Sequence, residues 1–162
     1  FNRRFGDILC KDIMSKNIIS IDKNSSLEDA WNTLRHHKIN LLPVLNADQD
    51  LCGVISLVDY LKRLQTGQPA KLHQRLRNLL YKKQHLGPEL SQPVASIMVK
   101  NLVTIGEEEP VTKAVLLLSE AGFHHIPVVT KNHKLVGMIS QSDIIAALYA
   151  SATRADEYQT AR

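Results

Sequence analysis

The chain has 162 residues, of which 44% are hydrophobic and 22% are charged, a balance typical of a globular protein with one sizeable core or two small ones. It contains no apolar run of the roughly 18 residues that a membrane-spanning helix needs. The two cysteines, Cys10 and Cys52, lie far apart and outside any zinc-binding spacing, which favours a reducing compartment and argues against a zinc site.

The sequence repeats itself at a constant spacing of 84 residues, without a gap, so that Ile13 to Leu64 matches Ile97 to Leu148. A duplication is considered first because it sets the architecture. Two copies are too few for a solenoid, so we predict two similar units packed about a pseudo-twofold axis, with ligand sites at the seam. Identical pairs include Lys16/Lys100, Ile21/Ile105, Ala30/Ala114, Pro43/Pro127, Gly53/Gly137, Ser56/Ser140 and Asp59/Asp143.

Each repeat opens with a short predicted strand, residues 17–21 or 101–105. A helix follows, which begins after Ser25 or Ser26 in the first copy and near Pro110 in the second. Apolar residues at i, i+3, i+4 and i+7 predict one buried helical face. They are Leu27, Ala30, Trp31 and Leu34 in the first copy, and Val111, Ala114, Val115 and Leu118 in the second.

Two strands and a second helix complete each repeat. The strands are residues 41–45 and 51–55 in the first copy and residues 125–129 and 135–139 in the second. The helices begin at Ser56 and Ser140 and run to Leu64 and Leu148. A proline in the middle strand predicts an edge position or a strand start, because proline cannot donate to a ladder. The order is β-α-β-β-α, and the predicted fold class is α/β (α+β).

The predicted domains are a first repeat at 8–64, a linker at 65–92, a second repeat at 93–150 and a polar tail at 151–162 that we expect to fray. A linker helix is predicted over residues 68–86. The net charge of +4 comes from this linker, which carries Lys71, Arg75, Arg77, Lys82 and Lys83 against Glu89. The repeats are near neutral and aromatic residues are only 5%, so binding to nucleic acid is not expected.

The motif with chemical content is Ser-x-x-Asp, at Ser56–Asp59 and again at Ser140–Asp143, each after a glycine-led strand and at the start of a helix. One interpretation is structural: the pair forms a variant capping box. The other is functional, since a helix N-terminus favours a phosphate and a serine hydroxyl adds a donor. An aspartate would repel phosphate, so its better partner is a pair of ribose hydroxyls. Taken alone, the motif leaves both interpretations open.

These residues resemble the CBS domain, and the chain resembles a tandem CBS pair, also called a Bateman module, over about residues 8–150. The resemblance rests on the segments 12–14 and 96–98, 39–44 and 124–128, and 53–59 and 137–143. It implies a non-catalytic regulatory module, without catalytic residues, a metal or an obligatory cofactor. Such modules bind AMP, ADP, ATP, S-adenosylmethionine or a similar adenosine ligand between the repeats, control an attached or partner protein, and commonly form homodimers.

The resemblance also implies individual roles at two sites. Asp59 and Asp143 would hold the ribose, and Ser56 and Ser140 would lie by the phosphates. The adenine pockets would be lined by Ser20, Thr104, Ile18 and Leu102. Pro43 and Pro127 would also belong to the sites. The positions before the proline supply basic phosphate contacts, which suits His124 and His125; a strand-end pair without a ligand is the other interpretation. The first copy has Asn40 and Leu41 there, so we expect unequal sites.

A narrower resemblance links residues 1–7, 122–128 and 141–149 to the C-terminal CBS pair of HPP-family integral membrane proteins. It implies a membrane-spanning part upstream and a cytosolic position for this chain, and the basic linker would then face anionic lipid. A solvated helix face is the favoured interpretation of the linker. The simpler expectation for the chain itself is a cytoplasmic location.

The main alternative is a ligand-free assembly module whose exposed helices pair with a second copy. The stripes Tyr60-Leu61-Leu64 and Ile144-Ile145-Leu148 are its candidates; the other interpretation assigns both stripes to the core. An enzyme is not expected, since the sequence has no glycine-rich phosphate loop, no HExxH and no nucleophile elbow.

Overall fold

The computed structural model describes residues 4–64, 88–121 and 123–160, without the side chains of 61–64, 88–89 and 154–160. In chain order the helices and strands are α1 (Cys10–Ile13), β1 (Ile21–Asp22), α2 (Leu27–His37), β2 (Leu41–Leu45), β3 (Leu51–Ser56), α3 (Leu57–Leu64), β4 (Ile105–Gly106), α4 (Val111–Glu120), β5 (His125–Val129), β6 (Leu135–Ser140) and α5 (Gln141–Thr160). Short 3-10 helices lie at Phe5–Asp7, Pro88–Ser91 and Val94–Ser96.

The chain forms two compact units. One consists of Ile19–Leu102, and the other combines Phe1–Ile18 with Val103–Arg162. Each contains a mixed three-stranded sheet, in the order β1-β2-β3 or β4-β5-β6, whose first pair is parallel and second pair antiparallel. The predicted α/β (α+β) class and the β-α-β-β-α order of each repeat are confirmed.

The first strand of each sheet is shorter than predicted. β1 pairs only Ile21 with Val44 and Asp22 with Leu45, although a strand over residues 17–21 was expected. Val54, which lies opposite Pro43 in β3, exchanges both of its backbone hydrogen bonds with Val99 and so none with Pro43. The nitrogen of Pro43 therefore faces the β1 side, where it has no hydrogen to donate and the parallel ladder stops.

This geometry also corrects the expected position of the proline. Pro43 lies in the central strand of its sheet, and Pro127 occupies the same place in β5. A proline is tolerated there because its nitrogen faces a stretch where the neighbouring strand has not yet begun.

The predicted helical faces form the cores. Leu27, Ala30, Trp31 and Leu34 are all buried on α2, and Ser26 caps that helix by accepting a hydrogen bond from the Asp29 N–H at 3.1 Å. Trp31 meets Tyr60 edge to face, with ring centroids 5.3 Å apart. On α4, Val111, Ala114 and Leu118 are buried, whereas Val115 lies beside an apolar groove.

Each core also takes residues from the start of the other repeat. Cys10 is buried among Ile105 and Val111, and Val94 is buried with the residues of α2. The predicted repeats at 8–64 and 93–150 are therefore divided differently from the compact units. This exchange leaves Phe1–Ile18 in the unit of the second repeat and residues up to Leu102 in the unit of the first.

The exchanged segments extend the sheets. Val99 pairs with Val54 of β3, and Ser15 pairs with Met138 of β6, through two backbone hydrogen bonds each. A glycine suits this junction, because a Cβ at residue 53 would lie 2.6 Å from the sulfur of Met98 and the Met98 side chain would have to shift. Gly137 meets Met14 in the same way.

The remaining expectations concern the linker and the tail. The predicted linker helix over 68–86 lies outside the described residues. α5 continues to Thr160, beyond the Leu148 expected, since residues 149–160 contain several alanines and neither glycine nor proline. Among the helices that the structure describes, none is both long and apolar enough to cross a membrane.

Candidate functional site

The two Ser-x-x-Asp motifs form the same local structure where a strand passes into a helix. β3 ends at Ser56 and α3 begins at the next residue, which brings Asp59 back towards the serine. Asp59 Oδ2 accepts hydrogen bonds from the Ser56 N–H at 2.7 Å and from the Ser56 hydroxyl at 3.0 Å. Asp143 Oδ2 accepts the same two bonds from Ser140, at 2.8 and 3.0 Å.

This arrangement is half of a capping box. The carboxylate caps the serine N–H, but the serine hydroxyl donates to the carboxylate instead of accepting from the helix backbone. Both carboxylates use only Oδ2, and no described residue donates a hydrogen bond to Oδ1 of Asp59 or Asp143. Each site therefore keeps a carboxylate oxygen with full acceptor capacity, held in a fixed orientation, which is the chemistry that paired hydroxyl donors require.

The two sites differ in burial. Asp59 is 9% exposed, whereas Asp143 is half-buried. Tyr60, next to Asp59, is buried and donates its hydroxyl to the Leu27 carbonyl at 2.6 Å. Burial, with the charge of Asp59 as a smaller cause, raises the pKa of the Tyr60 phenol well above its usual range. The sequence analysis assigned Tyr60 only to an apolar stripe. Its position directly after Asp59 was the signal that this side chain lies near the motif.

The residue opposite the serine also differs between the sites. Leu41 at the start of β2 pairs with Ser56, whereas His125 at the start of β5 pairs with Ser140. His124 and His125 are both exposed. Partial desolvation of its ring lowers the pKa of His125 below 6.5, the charge of His124 lowers it further, and Asp143 opposes both effects.

The structure places the other predicted site residues on both units. Ser20 immediately precedes β1, in the unit that contains Ser56 and Asp59, and Thr104 immediately precedes β4, in the unit of Ser140 and Asp143. Ser20 is exposed and Thr104 is half-buried. Ile18 belongs to the same unit as Thr104, and Leu102 belongs to the same unit as Ser20.

The two prolines lie opposite the strands that lead into the motifs, Pro43 beside Val54 and Pro127 beside Met138. Pro43 and Pro127 are buried in the central strands, where they stop the parallel ladders. Direct contact of either ring with a ligand stays a prediction, as do the ligand contacts of the other named residues.

The described part of the chain gives little support to a metal site or to a cysteine nucleophile. Those residues hold no group of three or more His, Cys, Asp or Glu side chains that could bind a metal ion. Burial raises the pKa of the Cys10 thiol to about 11, and it also raises the pKa of Cys52. Both thiols are therefore protonated at neutral pH and are poor nucleophiles.

The chain matches known proteins over most of its length. It is 33% identical, over 144 residues, to a CBS domain-containing protein of Dictyostelium discoideum, with 87% of this chain and 91% of that protein covered. It is 28% identical to an L-aspartate semialdehyde sulfurtransferase of Methanocaldococcus jannaschii over 84% of this chain, which is only 22% of the length of that enzyme.

Solved structures share the fold. The CBS domain pair of protein MJ0100, in complex with 5′-methylthioadenosine and S-adenosyl-L-methionine, superposes with a TM-score of 0.65 at 26% identity, over 88% of this chain and 97% of that one. CBSX2 in complex with AMP superposes with a TM-score of 0.67 at 24% identity, over 88% and 96% of the two chains.

The model of the CBS domain matches the sequence twice, at residues 10–66 and 94–150. Both Ser-x-x-Asp motifs fall within these matches, near the end of each. The chain therefore belongs to the CBS domain family and is a tandem CBS pair.

Proposed function

We propose that this CBS pair is a non-catalytic regulatory module that binds an adenosine-containing ligand at its two Ser-x-x-Asp motifs. The observation that carries the proposal is the pair of oriented carboxylates, each with Oδ2 bonded to serine and with Oδ1 bonded to no described residue. The MJ0100 pair, a relative at 26% identity, is described in complex with two adenosine derivatives, which supports the ligand class.

Each residue type has a role that suits its chemistry. The ribose hydroxyls donate to Oδ1 of Asp59 or Asp143, because an ionised carboxylate is purely an acceptor. The serine hydroxyl and the first N–H groups of α3 or α5 lie where a ligand's phosphate or other electronegative group is favoured. The ligand candidates are AMP, ADP, ATP, S-adenosylmethionine and methylthioadenosine, and no obligatory cofactor is required.

Regulation follows from differential affinity. A ligand that binds one conformation of the pair more tightly shifts the population towards it, by no more than the difference in binding free energy. The regulated protein is an attached domain or a separate partner. The small share of the sulfurtransferase that this chain matches supports attachment as one arrangement in the family.

Calorimetric titration of the full chain with methylthioadenosine, S-adenosylmethionine, AMP, ADP and ATP tests this function. We expect saturable heat with at least one ligand and a loss of at least about tenfold in affinity for Asp59→Asn or Asp143→Asn, since each removes a charged acceptor. Glu28→Gln is the matched control, because Glu28 is an exposed acid on α2 that belongs to neither motif. No heat with any of the five ligands would contradict the proposal.

A second candidate function is assembly with another copy of the chain. Two features of α4 and α5 favour it. Leu116, Ile145, Leu148 and Tyr149 are exposed on these helices, and Val115, Leu118, Ile144 and Ile145 line an apolar groove. Tyr60 and Ile144, named in the predicted stripes, are buried and belong to the cores, and the side chains of Leu61 and Leu64 lie outside the described residues.

Sedimentation over a hundredfold range of concentration tests the assembly function. If the protein is a dimer and Ile145→Lys converts it to a monomer, the apolar surface on α4 and α5 is supported as the dimer interface. Val58→Lys is the control, because Val58 is equally exposed but lies on α3. A wild-type protein that stays monomeric throughout the range would exclude self-association as the function.

We also propose a cytoplasmic location for the module, as the cytosolic region of a longer membrane protein if the resemblance to the HPP family reflects its origin. The support is chemical, since Cys10 and Cys52 are both free thiols, as is usual in a reducing compartment. Fractionation of cells with an antibody against this chain tests the location. Recovery in an oxidising compartment would contradict it.

A further inference from the structure

The protein has three methionines, and all of them lie where an exchanged segment meets a sheet. Met98 packs on Gly53 of β3, so closely that a Cβ on that glycine would lie 2.6 Å from the methionine sulfur. Met14 packs on Gly137 of β6 in the same way, and Met138 follows that glycine in the strand. The thioether groups are therefore concentrated at the two junctions between segment and sheet.

Each exchanged segment is fixed at an anchor that comes before its methionine. The anchors are Cys10 and Val94, which are both fully buried. Their N–H groups donate to the carbonyls of Glu109 and Ser25, at 2.9 and 2.8 Å. This part of each segment belongs to a core and opens only with it.

The end of each segment, after the methionine, is attached more weakly. One bridge of two backbone hydrogen bonds follows each methionine: Val99 with Val54 at 2.8 and 3.1 Å, and Ser15 with Met138 at 2.9 and 3.0 Å. The methionine that precedes each bridge is half-buried, so it packs against a core and also reaches solvent. A short bridge with a partly exposed apolar contact opens more readily than the anchor.

From this placement we propose that the two junctions are redox-sensitive. Oxidation of Met14 and Met98 to methionine sulfoxide releases the end of each exchanged segment and leaves its anchor in place. The released ends are residues 14–18 and 98–102. The oxidant is hydrogen peroxide: its O–O bond breaks, one oxygen forms an S–O bond with a sulfur lone pair, and the other leaves as water. A thiol-dependent methionine sulfoxide reductase reverses the step, with the thiols oxidised to a disulfide.

The oxidised side chain does not suit the space at the glycine. A sulfoxide is polar, and its oxygen needs a hydrogen-bond donor. The N–H groups of Val54 and Val99 already donate to each other's carbonyl, and those of Ser15 and Met138 do the same at the other junction. Burial of the new oxygen without a donor is unfavourable, so the oxidised end is favoured in water.

The thiols of the protein do not compete for the oxidant at neutral pH. The thiolate is the reactive form of cysteine, and burial raises the pKa of Cys10 to about 11 and also raises the pKa of Cys52. A thioether has no proton to lose, so its reaction with peroxide needs no ionisation. The methionines at the junctions are therefore the sulfur groups that respond.

Resting on the proposed function, the released ends would also affect the adenosine sites. Ile18 and Leu102, which are predicted to line the adenine pockets, lie in these ends. The oxidised chain should therefore bind an adenosine ligand more weakly. The test of release itself uses no ligand, so its result does not depend on the proposed function.

Hydrogen exchange of the full chain, before and after treatment with hydrogen peroxide at pH 7, tests the release. Mass spectrometry of peptides shows that Met14 and Met98 have each gained one oxygen. The amides of the two bridges should exchange at least about tenfold faster after oxidation, and those of Cys10 and Val94 should exchange at nearly the same rate as before. Methionine sulfoxide reductase with dithiothreitol should restore the slow exchange. The bridge amides are those of Ser15, Val54, Val99 and Met138.

The matched variant is Met14→Leu with Met98→Leu. Leucine keeps the volume and the apolar contact but cannot be oxidised in this way, and the variant retains Met138 and both cysteines. We expect peroxide to leave its bridge amides unchanged. Met138→Leu, which keeps both methionines that pack on glycine, should respond as the wild type does.

The inference is overturned by any of four results. Peroxide may leave Met14 and Met98 unoxidised, or the bridge amides may be unprotected or unaffected when both are oxidised. The double leucine variant may respond as strongly as the wild type, which would assign the effect to another group. The amides of Cys10 and Val94 may accelerate as much as the bridges, which would indicate global unfolding. Failure of the reduced chain to bind adenosine ligands would contradict the proposed function alone.

Discussion

At the scale of single residues, the carboxylates of Asp59 and Asp143 are each fixed by two hydrogen bonds from one serine. The structural and functional interpretations of Ser-x-x-Asp are therefore not exclusive. The carboxylate caps the strand-to-helix turn with one oxygen, and none of the residues that the structure describes donates to the other. Orientation of a ligand-binding group by a local bond lowers the entropy that binding must remove.

His125 makes the stability of the unit with Val103–Arg162 depend on pH. Its pKa is lowered in the folded state, so the unfolded chain binds the proton more readily. The stabilisation is complete above about pH 6.5 and is lost as the pH falls through the lower folded pKa. Thermal melts from pH 7.5 to 5 should show a decline that His125→Leu reduces. A slope unchanged by this variant would show that His125 does not contribute.

Gly53 tests the contact between an exchanged segment and its sheet. Gly53→Ala should lower the free energy of unfolding by about 1–3 kcal/mol, because the added methyl group overlaps the Met98 side chain. Met98→Ala in the same chain should recover part of the loss. Urea unfolding measures both, and Gly6→Ala, which meets no atom within 4 Å, is the control. Equal effects at Gly6 and Gly53 would contradict the packing.

At the scale of elements, the repeats differ where α2 and α4 pack. Trp31 and Tyr60 fill the first core, and the equivalent positions in the second repeat carry Val115 and Ile144, which line a groove. The Trp31 indole N–H is buried and has no hydrogen-bond partner among the described residues. Its contribution to stability is therefore apolar packing, offset by an unsatisfied donor.

Trp31→Val should destabilise the chain by about 2–4 kcal/mol, since it opens in the first core the space that the second repeat leaves as a groove. Trp31→Phe keeps an aromatic ring against Tyr60 and removes the unsatisfied N–H, so it should cost clearly less. Chemical denaturation of both variants measures the two losses of unfolding free energy. A Trp31→Phe loss as large as that of Trp31→Val would mean that the N–H has a partner.

Local sequence signals predicted the elements well and their limits less well. The apolar stripe of α2 was evident from its spacing, and Leu27, Ala30 and Leu34 are fully buried as expected. The truncation of β1 depends on which side of the sheet the nitrogen of Pro43 faces, which requires the register with β3. The matching serine-aspartate bonds followed from the motif, whereas the burial of Asp59 depends on tertiary packing.

At the scale of the whole molecule, the compact units are not the sequence repeats. Phe1–Ile18 packs with Val103–Arg162, and residues 94–99 pack with the first repeat. No local sequence pattern predicts such an exchange, because the segments are short and their apolar residues would suit either core. The duplication predicted two similar units but did not predict which segment completes each one.

A chain of residues 103–162 alone should therefore be unfolded or have a much lower Tm, since it lacks Cys10, Ile13 and Met14 from its core. A fully buried apolar side chain contributes about 1.5–3 kcal/mol, and the partly buried Ile13 and Met14 each contribute less than that. A permuted chain, in which residues 1–18 follow residue 162 through a flexible linker, should recover a cooperative thermal transition. Equal stability with and without residues 1–18 would contradict the exchange.

The most direct test of the central claim is a backbone NMR titration of the full chain with methylthioadenosine and with AMP. If adenosine ligands bind at the serine-aspartate turns, the amide resonances of residues 56–59 or 140–143 should shift most and should saturate with the ligand. Resonances that stay unchanged at both turns, with either ligand at millimolar concentration, would contradict the account.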